Sequence, residues 1–167
     1  MSMIMQYIRI RDEELVTLRE LLADDPDGAF EYADELADGA DEDVPAEHSR
    51  GLDTDKTWDA MAFLLHRANE PAACVVRGGS RLTEDEWGYE PPRYLTPDQV
   101  STAASHLDAT PFYRLAEQFD PQQMTGVYPN VWHEHDVLGY LQGWYERLAT
   151  FFRHAAAERD GMIIFLT

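Results

Sequence analysis

The run Met162-Ile163-Ile164-Phe165-Leu166 constrains the fold more than any other feature, because it is five apolar residues with no polar break. A strand points successive side chains to opposite faces. A strand made only of apolar residues therefore has no face suited to water, and it belongs in the middle of a sheet covered on both sides. Ahead of it, residues 133–159 place Val137, Leu138, Leu141, Trp144, Tyr145, Leu148, Phe152 and Ala155 at helical spacing. So wide a stripe predicts a long central core helix, ended by Gly161. Residues 3–10 alternate imperfectly and predict a second strand covered on both faces.

Helical periodicity fills most of the remainder. Asp12 is placed to cap a helix with Leu15, Leu18, Leu21 and Leu22 inside and Glu13 and Glu14 in its acidic first turn. Residues 26–37 predict a helix with Phe30, Ala33, Leu36 and Ala37 on its core stripe, and residues 53–67 predict another. Thr96, Pro97 and Gln99 form a capping box that opens a helix with Val100, Ala103, Ala104 and Leu107 inside. Residues 111–119 predict a short helix, and residues 72–76 a short buried strand ended by Gly78-Gly79. Neither a repeat nor a linker interrupts the 167 residues. The expectation is one helix-rich domain over residues 1–167, α/β with α+β as the alternative, with strands at both termini and a small mixed sheet.

Charge narrows the possible partners. Asp and Glu number 32 against 13 Lys and Arg, a net charge of -19. Such a surface repels nucleic acid and anionic membranes, and it suits a basic partner, a cationic ligand or a salty environment. From 24 to 47 the chain carries many carboxylates and no Lys or Arg. Within it, DGADED lacks the order of an EF-hand loop, so a solvated face or a docking face for a basic partner is the reading. The single cysteine, Cys74, lies among apolar neighbours and reads as a core thiol in a reducing compartment. The N-terminus lacks the pattern of a signal peptide, and no run approaches the roughly 18 apolar residues of a membrane helix. A cytoplasmic protein is expected.

Four constellations are candidates for chemistry. The first is Lys56, the only lysine, with Trp58, Asp59 and His66 at a helix start. Lys56 would be an anion-binding amine with Trp58 as its wall, or a surface cation paired with Asp53, Asp55 or Asp59. The second is Arg77-Gly78-Gly79-Ser80-Arg81 with Arg93. Its glycines are able to turn N–H groups toward an anion, while the plainer reading is a tight turn whose arginines pair with Glu84, Asp85, Glu86 and Glu90. In the third, His133-Glu134-His135, a spacing of two scatters metal ligands on a helix, so no metal is expected. The fourth is the loop Trp87-Gly88-Tyr89-Glu90-Pro91-Pro92, whose aromatics would wall a pocket, anchor a partner or seal the sheet. A nucleophile elbow, a dinucleotide fingerprint and a CxxC pair are all absent.

Several stretches together resemble one family. They are MSMIMQYIRIRDEEL, LDTDKTWDAMAFLL, the Gly78-Gly79 pair, GYEPPRYLTPDQV and the Tyr128-Pro129 step with the aromatic helix after it. The chain resembles, end to end, the YfbM-like family of uncharacterised bacterial proteins, domain of unknown function 1877. The resemblance implies a three-layer α/β/α arrangement and no activity. Ala62 stands where the family often carries His, which argues against an essential histidine there.

The functional expectation is a non-enzymatic cytoplasmic binding or protein-interaction module with an acidic surface, immunity-like in form, with no cofactor. Its partner would be a basic protein. The alternative is an enzyme or binding protein for a small anionic ligand, with Lys56, Arg77, Arg81, Arg93, Trp87 and Tyr89 converging in one pocket.

Overall fold

In the computed structural model, which describes residues 2–38, 45, 49–71 and 76–167, the two ends of the chain lie side by side. Strand β1 (Met5–Ile10) pairs antiparallel with β5 (Gly161–Leu166) over six residues, from Met5 opposite Leu166 to Ile10 opposite Gly161. Short strands extend the sheet on either side, in the order β2-β1-β5-β4-β3, with β2 Gly51–Asp53, β3 Ser80–Arg81 and β4 Arg93–Leu95. Every pairing among the described residues is antiparallel, which corrects the expected mixed sheet. An apolar run shows that a strand is central but carries no information on the direction of its neighbours.

All six residues of β5 are buried, as the unbroken apolar run requires. On one face Ile8, Ile10, Ile163 and Phe165 pack against α1 (Asp12–Asp24) and α2 (Pro26–Leu36) through Leu15, Leu18, Ala29 and Ala33. On the other, Met5, Tyr7, Met162, Ile164 and Leu166 meet α3 (Trp58–Arg67), α4 (Pro97–Ala109), α5 (Phe112–Ala116) and α6 (Val137–Ala157). This is a three-layer, helix-rich α/β arrangement with strands at both termini. Burying each large apolar side chain contributes about 1.5–3 kcal/mol.

Polar ties hold β1 in place. Arg9 donates through Nε to Asp160 at 2.8 Å in a buried ion pair that anchors the residue before β5. Arg50 forks onto Glu14 of α1 at 2.8 and 2.5 Å and donates to the Arg9 carbonyl at 2.9 Å. The Thr96–Gln99 capping box and Pro97 open α4 as its sequence predicts.

Several boundaries differ from expectation. Arg11, not Asp12, precedes the first turn of α1. Residues 53–57 are not helical throughout: Asp53 ends β2, Asp55 sits in the left-handed region at φ 47°, and Asp55–Thr57 is a 3-10 turn. Trp132 to Asp136 is a series of turns before α6, with the Trp132 indole donating to the Val127 carbonyl at 3.0 Å. Helix α6 ends at Ala157, Arg159 takes the left-handed turn, and Gly161 opens β5 instead of closing the helix. The strand expected at 72–76 and the Cys74 thiol lie outside the described residues, apart from Val76, which is helical. Most of the acidic loop at 38–47 also lies outside them.

Ile164→Ala is expected to lower unfolding free energy by about 2–5 kcal/mol, because it opens a cavity in a strand with no wet face; urea denaturation measures it. The Glu14 carboxyl is held below its ordinary range, first by the hydrogen bonds from Arg50, with burial opposing them. Its folded pKa is depressed, so the stability it contributes is present above the unfolded value, roughly 4.3. That stability is lost as pH falls through the lower folded value. Glu14→Gln is therefore expected to lower stability at neutral pH by about 1.5–3 kcal/mol and to flatten the acid limb of a stability–pH curve.

Candidate functional site

The residues singled out by sequence divide between the two faces of the sheet. Trp58 is 3% exposed in the α3–α6 core, and its indole donates to the Met3 carbonyl at 3.0 Å. Tyr128 stacks on it at 5.9 Å between ring centroids, and the Arg77 guanidinium lies over it at 4.6 Å. Arg93 is opposite Ile164 in β4–β5, and Arg81 is opposite Arg93 in β3–β4, which puts both arginines on this same face. Trp87, in contrast, belongs to the core under α1 and α2. The six residues of the anionic-ligand alternative therefore do not line one cavity, because the sheet separates Trp58 and Arg77 from Trp87.

Lys56 lies in the 3-10 turn; its backbone amide donates to the Tyr140 hydroxyl, and among the described residues its side-chain amine makes neither a hydrogen bond nor an ion pair. Each carboxylate expected to pair with it is occupied otherwise. Asp53 accepts from the Asp55 amide at 2.9 Å, Asp55 from the Tyr140 hydroxyl at 2.5 Å, and Asp59 from the Tyr128 amide at 2.9 Å. Burial, and next the Asp55 carboxylate, push the Tyr140 phenol well above its ordinary range. Tyr140 therefore stays a neutral donor that holds α6 to the 3-10 turn. His66 is exposed at the end of α3. Arg77 stacks on Trp58 instead of pairing with an acid, Arg93 donates to the Gly79 carbonyl at 3.2 Å, and Arg81 pairs with Glu84 at 3.0 Å. His133 and His135 are exposed in the turns before α6. Among the described residues no three His, Cys, Asp or Glu side chains gather closely enough to hold a metal ion.

Among the described residues, a candidate site lies on the α1–α2 face. A groove of about 760 Å³ runs between the first turns of α2 and the loop before Tyr89. Asp27 and Glu31, one helical turn apart, form one wall, and Asp85 and Glu86 form the other. Its floor is aromatic. Phe30 packs edge-to-face on Trp87 at 5.4 Å, and Trp87 packs on Phe165 of β5 at 5.5 Å. Phe30 is 37% exposed, which corrects its assignment to the core stripe of α2; Ala33 of that stripe is buried, together with Ala29. Trp87 is 4% exposed, while Tyr89 stands 41% exposed on the adjoining turn.

The sequence folds this way for local reasons. Asp25 caps α2, accepting from the Gly28 amide at 3.2 Å, and Pro26 occupies the first turn, so Asp27 and Phe30 have fixed positions. Gly88 has φ 86°, and a Cβ there would meet the Leu166 carbonyl oxygen at 2.3 Å. Only glycine lets the loop come this close to β5, where the Tyr89 amide donates to the Leu166 carbonyl at 2.8 Å. None of the four wall carboxylates has a cation within ion-pair distance among the described residues. Sequence reasoning found Trp87 and Tyr89 and the cation-free stretch from 24 onward, but it did not join them. The signal available was Phe30 beside two acids one turn apart.

Lys56→Met is expected to change unfolding free energy by less than about 0.5 kcal/mol, because Lys56 is only half-buried and its amine has no partner among the described residues. Arg77→Ala is expected to lower it by about 0.5–1 kcal/mol through loss of the stack on Trp58. Urea unfolding of both variants checks this contrast.

The crystal structure of a protein of unknown function, YfbM from Escherichia coli, has the same fold, with a TM-score of 0.65 and 19% identity over 98% of this chain and 99% of that one. At that identity the likeness speaks for the fold alone. No curated protein matches the chain. Residues 1–165 match the model of the domain-of-unknown-function family DUF1877, and the chain belongs to that family.

Proposed function

We propose that this is a cytoplasmic, non-enzymatic interaction module that docks a basic protein on the groove between α2 and the Trp87 loop. The observation that carries this reading is a preformed groove with carboxylates on both walls, an aromatic floor and no counter-cation among the described residues. Carboxylates held together without cations repel one another, and a basic partner relieves that repulsion as it binds. Exposed Phe30 and Tyr89 supply the apolar anchors that charge alone lacks. An acidic protein that neutralises a basic one, as an immunity protein does, is one form of this function. No helix among the described residues is long and apolar enough to cross a membrane.

The alternative, a small anionic ligand, draws on Lys56 and Arg77, which have no ion pair among the described residues. The groove is favoured because its walls and floor are already assembled around one volume.

The test is calorimetric titration with a lysine-rich peptide. Binding is expected at low salt and is expected to weaken as salt rises. The variant Asp27→Asn/Glu31→Gln/Asp85→Asn/Glu86→Gln is expected to lose about tenfold in affinity, at ~0.2–1 kcal/mol for each exposed charge pair. Neutralising Asp98, Glu117, Glu134 and Glu146 instead, on the helices of the opposite face and the turns before α6, is expected to cost much less. Equal losses in the two variants would reduce the effect to net charge and defeat the proposal.

A further inference from the structure

The floor of the groove contains a donor that no acceptor meets among the described residues. Two other buried tryptophans donate their indole N–H to main-chain carbonyls, Trp58 to Met3 and Trp132 to Val127, both at 3.0 Å. Trp87 is as deeply placed, at 4% exposed, yet among the described residues its indole N–H makes no hydrogen bond. Buried indole N–H groups are normally partnered, because leaving one unmade forfeits the desolvation of the donor. The nitrogen is not sealed from solvent, since it is not among the fully buried atoms that lack a partner. Trp87 lines the groove.

We infer that the groove takes a basic polypeptide segment in which one main-chain carbonyl accepts from the Trp87 indole N–H while Lys or Arg side chains reach the wall carboxylates. The inference rests on the groove reading above and names the chemistry of its occupant. The two features of the site make different demands. The walls of Asp27, Glu31, Asp85 and Glu86 call for cations, and the floor calls for an acceptor. A metal ion meets neither demand, because the described carboxylates do not gather in threes around one point. A polyamine meets the first demand only, since its protonated amines are all donors. A basic peptide meets both. An accepting carbonyl and a cationic side chain occur in every Arg or Lys residue, and a groove of about 760 Å³ holds several residues. Arginine suits the aromatic floor, as it does elsewhere in this chain, where Arg77 lies over Trp58 and Arg147 over Trp144 at 4.6 and 4.8 Å.

The experiment compares two probes, a blocked hexa-arginine amide and spermine, on the whole chain by calorimetry. Both are expected to bind the unaltered protein, and both are expected to bind the four-carboxylate variant more weakly. Trp87→Phe keeps the ring and removes the N–H. It is expected to weaken the peptide by about three- to tenfold, the range of one hydrogen bond, and to leave spermine unchanged. Unchanged spermine binding also shows that the variant is folded. A measurement needing no variant is the indole ¹⁵N–¹H resonance of Trp87, expected to shift strongly with the peptide and little with spermine. If Trp87→Phe binds both probes like the parent, or weakens both equally, the main-chain inference is overturned while the acidic groove stands. If the four-carboxylate variant binds the peptide like the parent, the groove reading falls as well.

Discussion

Strand β5 has no wet face, and the rest of the molecule is arranged around that fact. All six of its residues are buried, so each face of the sheet must carry helices. Its pairing with β1 over six residues brings the two ends of the chain together and makes them the centre of the sheet. The buried Arg9–Asp160 ion pair and the Arg50–Glu14 fork tie that pairing to α1 and to the segment entering β2. Removing one partner of a buried pair leaves a charge without compensation. These ties therefore favour the observed register alongside the apolar contacts.

The distribution of charge follows from the same architecture. Cations are scarce, and those described are largely engaged. Some are in ion pairs, as with Arg114 and Glu70 or Arg153 and Asp108, and others lie over aromatic rings, as with Arg77 on Trp58 and Arg19 on Tyr94. The carboxylates outnumber them. Where α2 and the Trp87 loop bring acids to facing walls, the result is a groove whose charge is answered by nothing within the described chain. Its floor is continuous with the central strand through Trp87 and Phe165, so the candidate site rests directly on the buried centre of the sheet.

The helices were legible because their signals are local. The capping box at Thr96, the Leu15 and Leu18 stripe and the apolar face of α6 each appear within a few turns of sequence. Strands β2, β3 and β4 were not legible: two or three residues cannot display a period of two, and their hydrogen bonds come from distant partners. Trp132-His133-Glu134-His135-Asp136 reads as a helix start from its acids, yet burial of Trp132 against Val127 turns the chain there instead. Lys56 is a parallel case. Three aspartates near it in sequence are each used by another group, two of them far along the chain, at Tyr128 and Tyr140.

By itself the sequence determined that the chain makes a helix-rich fold of helices and strands with a central C-terminal strand, and that its surface is strongly acidic. Those properties depend on periodicity and composition, which local physics reads directly. Only the tertiary structure decided which side chains share a place. It set Trp58 and Trp87 on opposite faces of the sheet, paired every described strand antiparallel, and brought Asp27 and Glu31 to face Asp85 and Glu86 across an aromatic floor. Convergence of this kind arises from contacts between residues more than fifty positions apart, and no pattern along the chain encodes the distance between them.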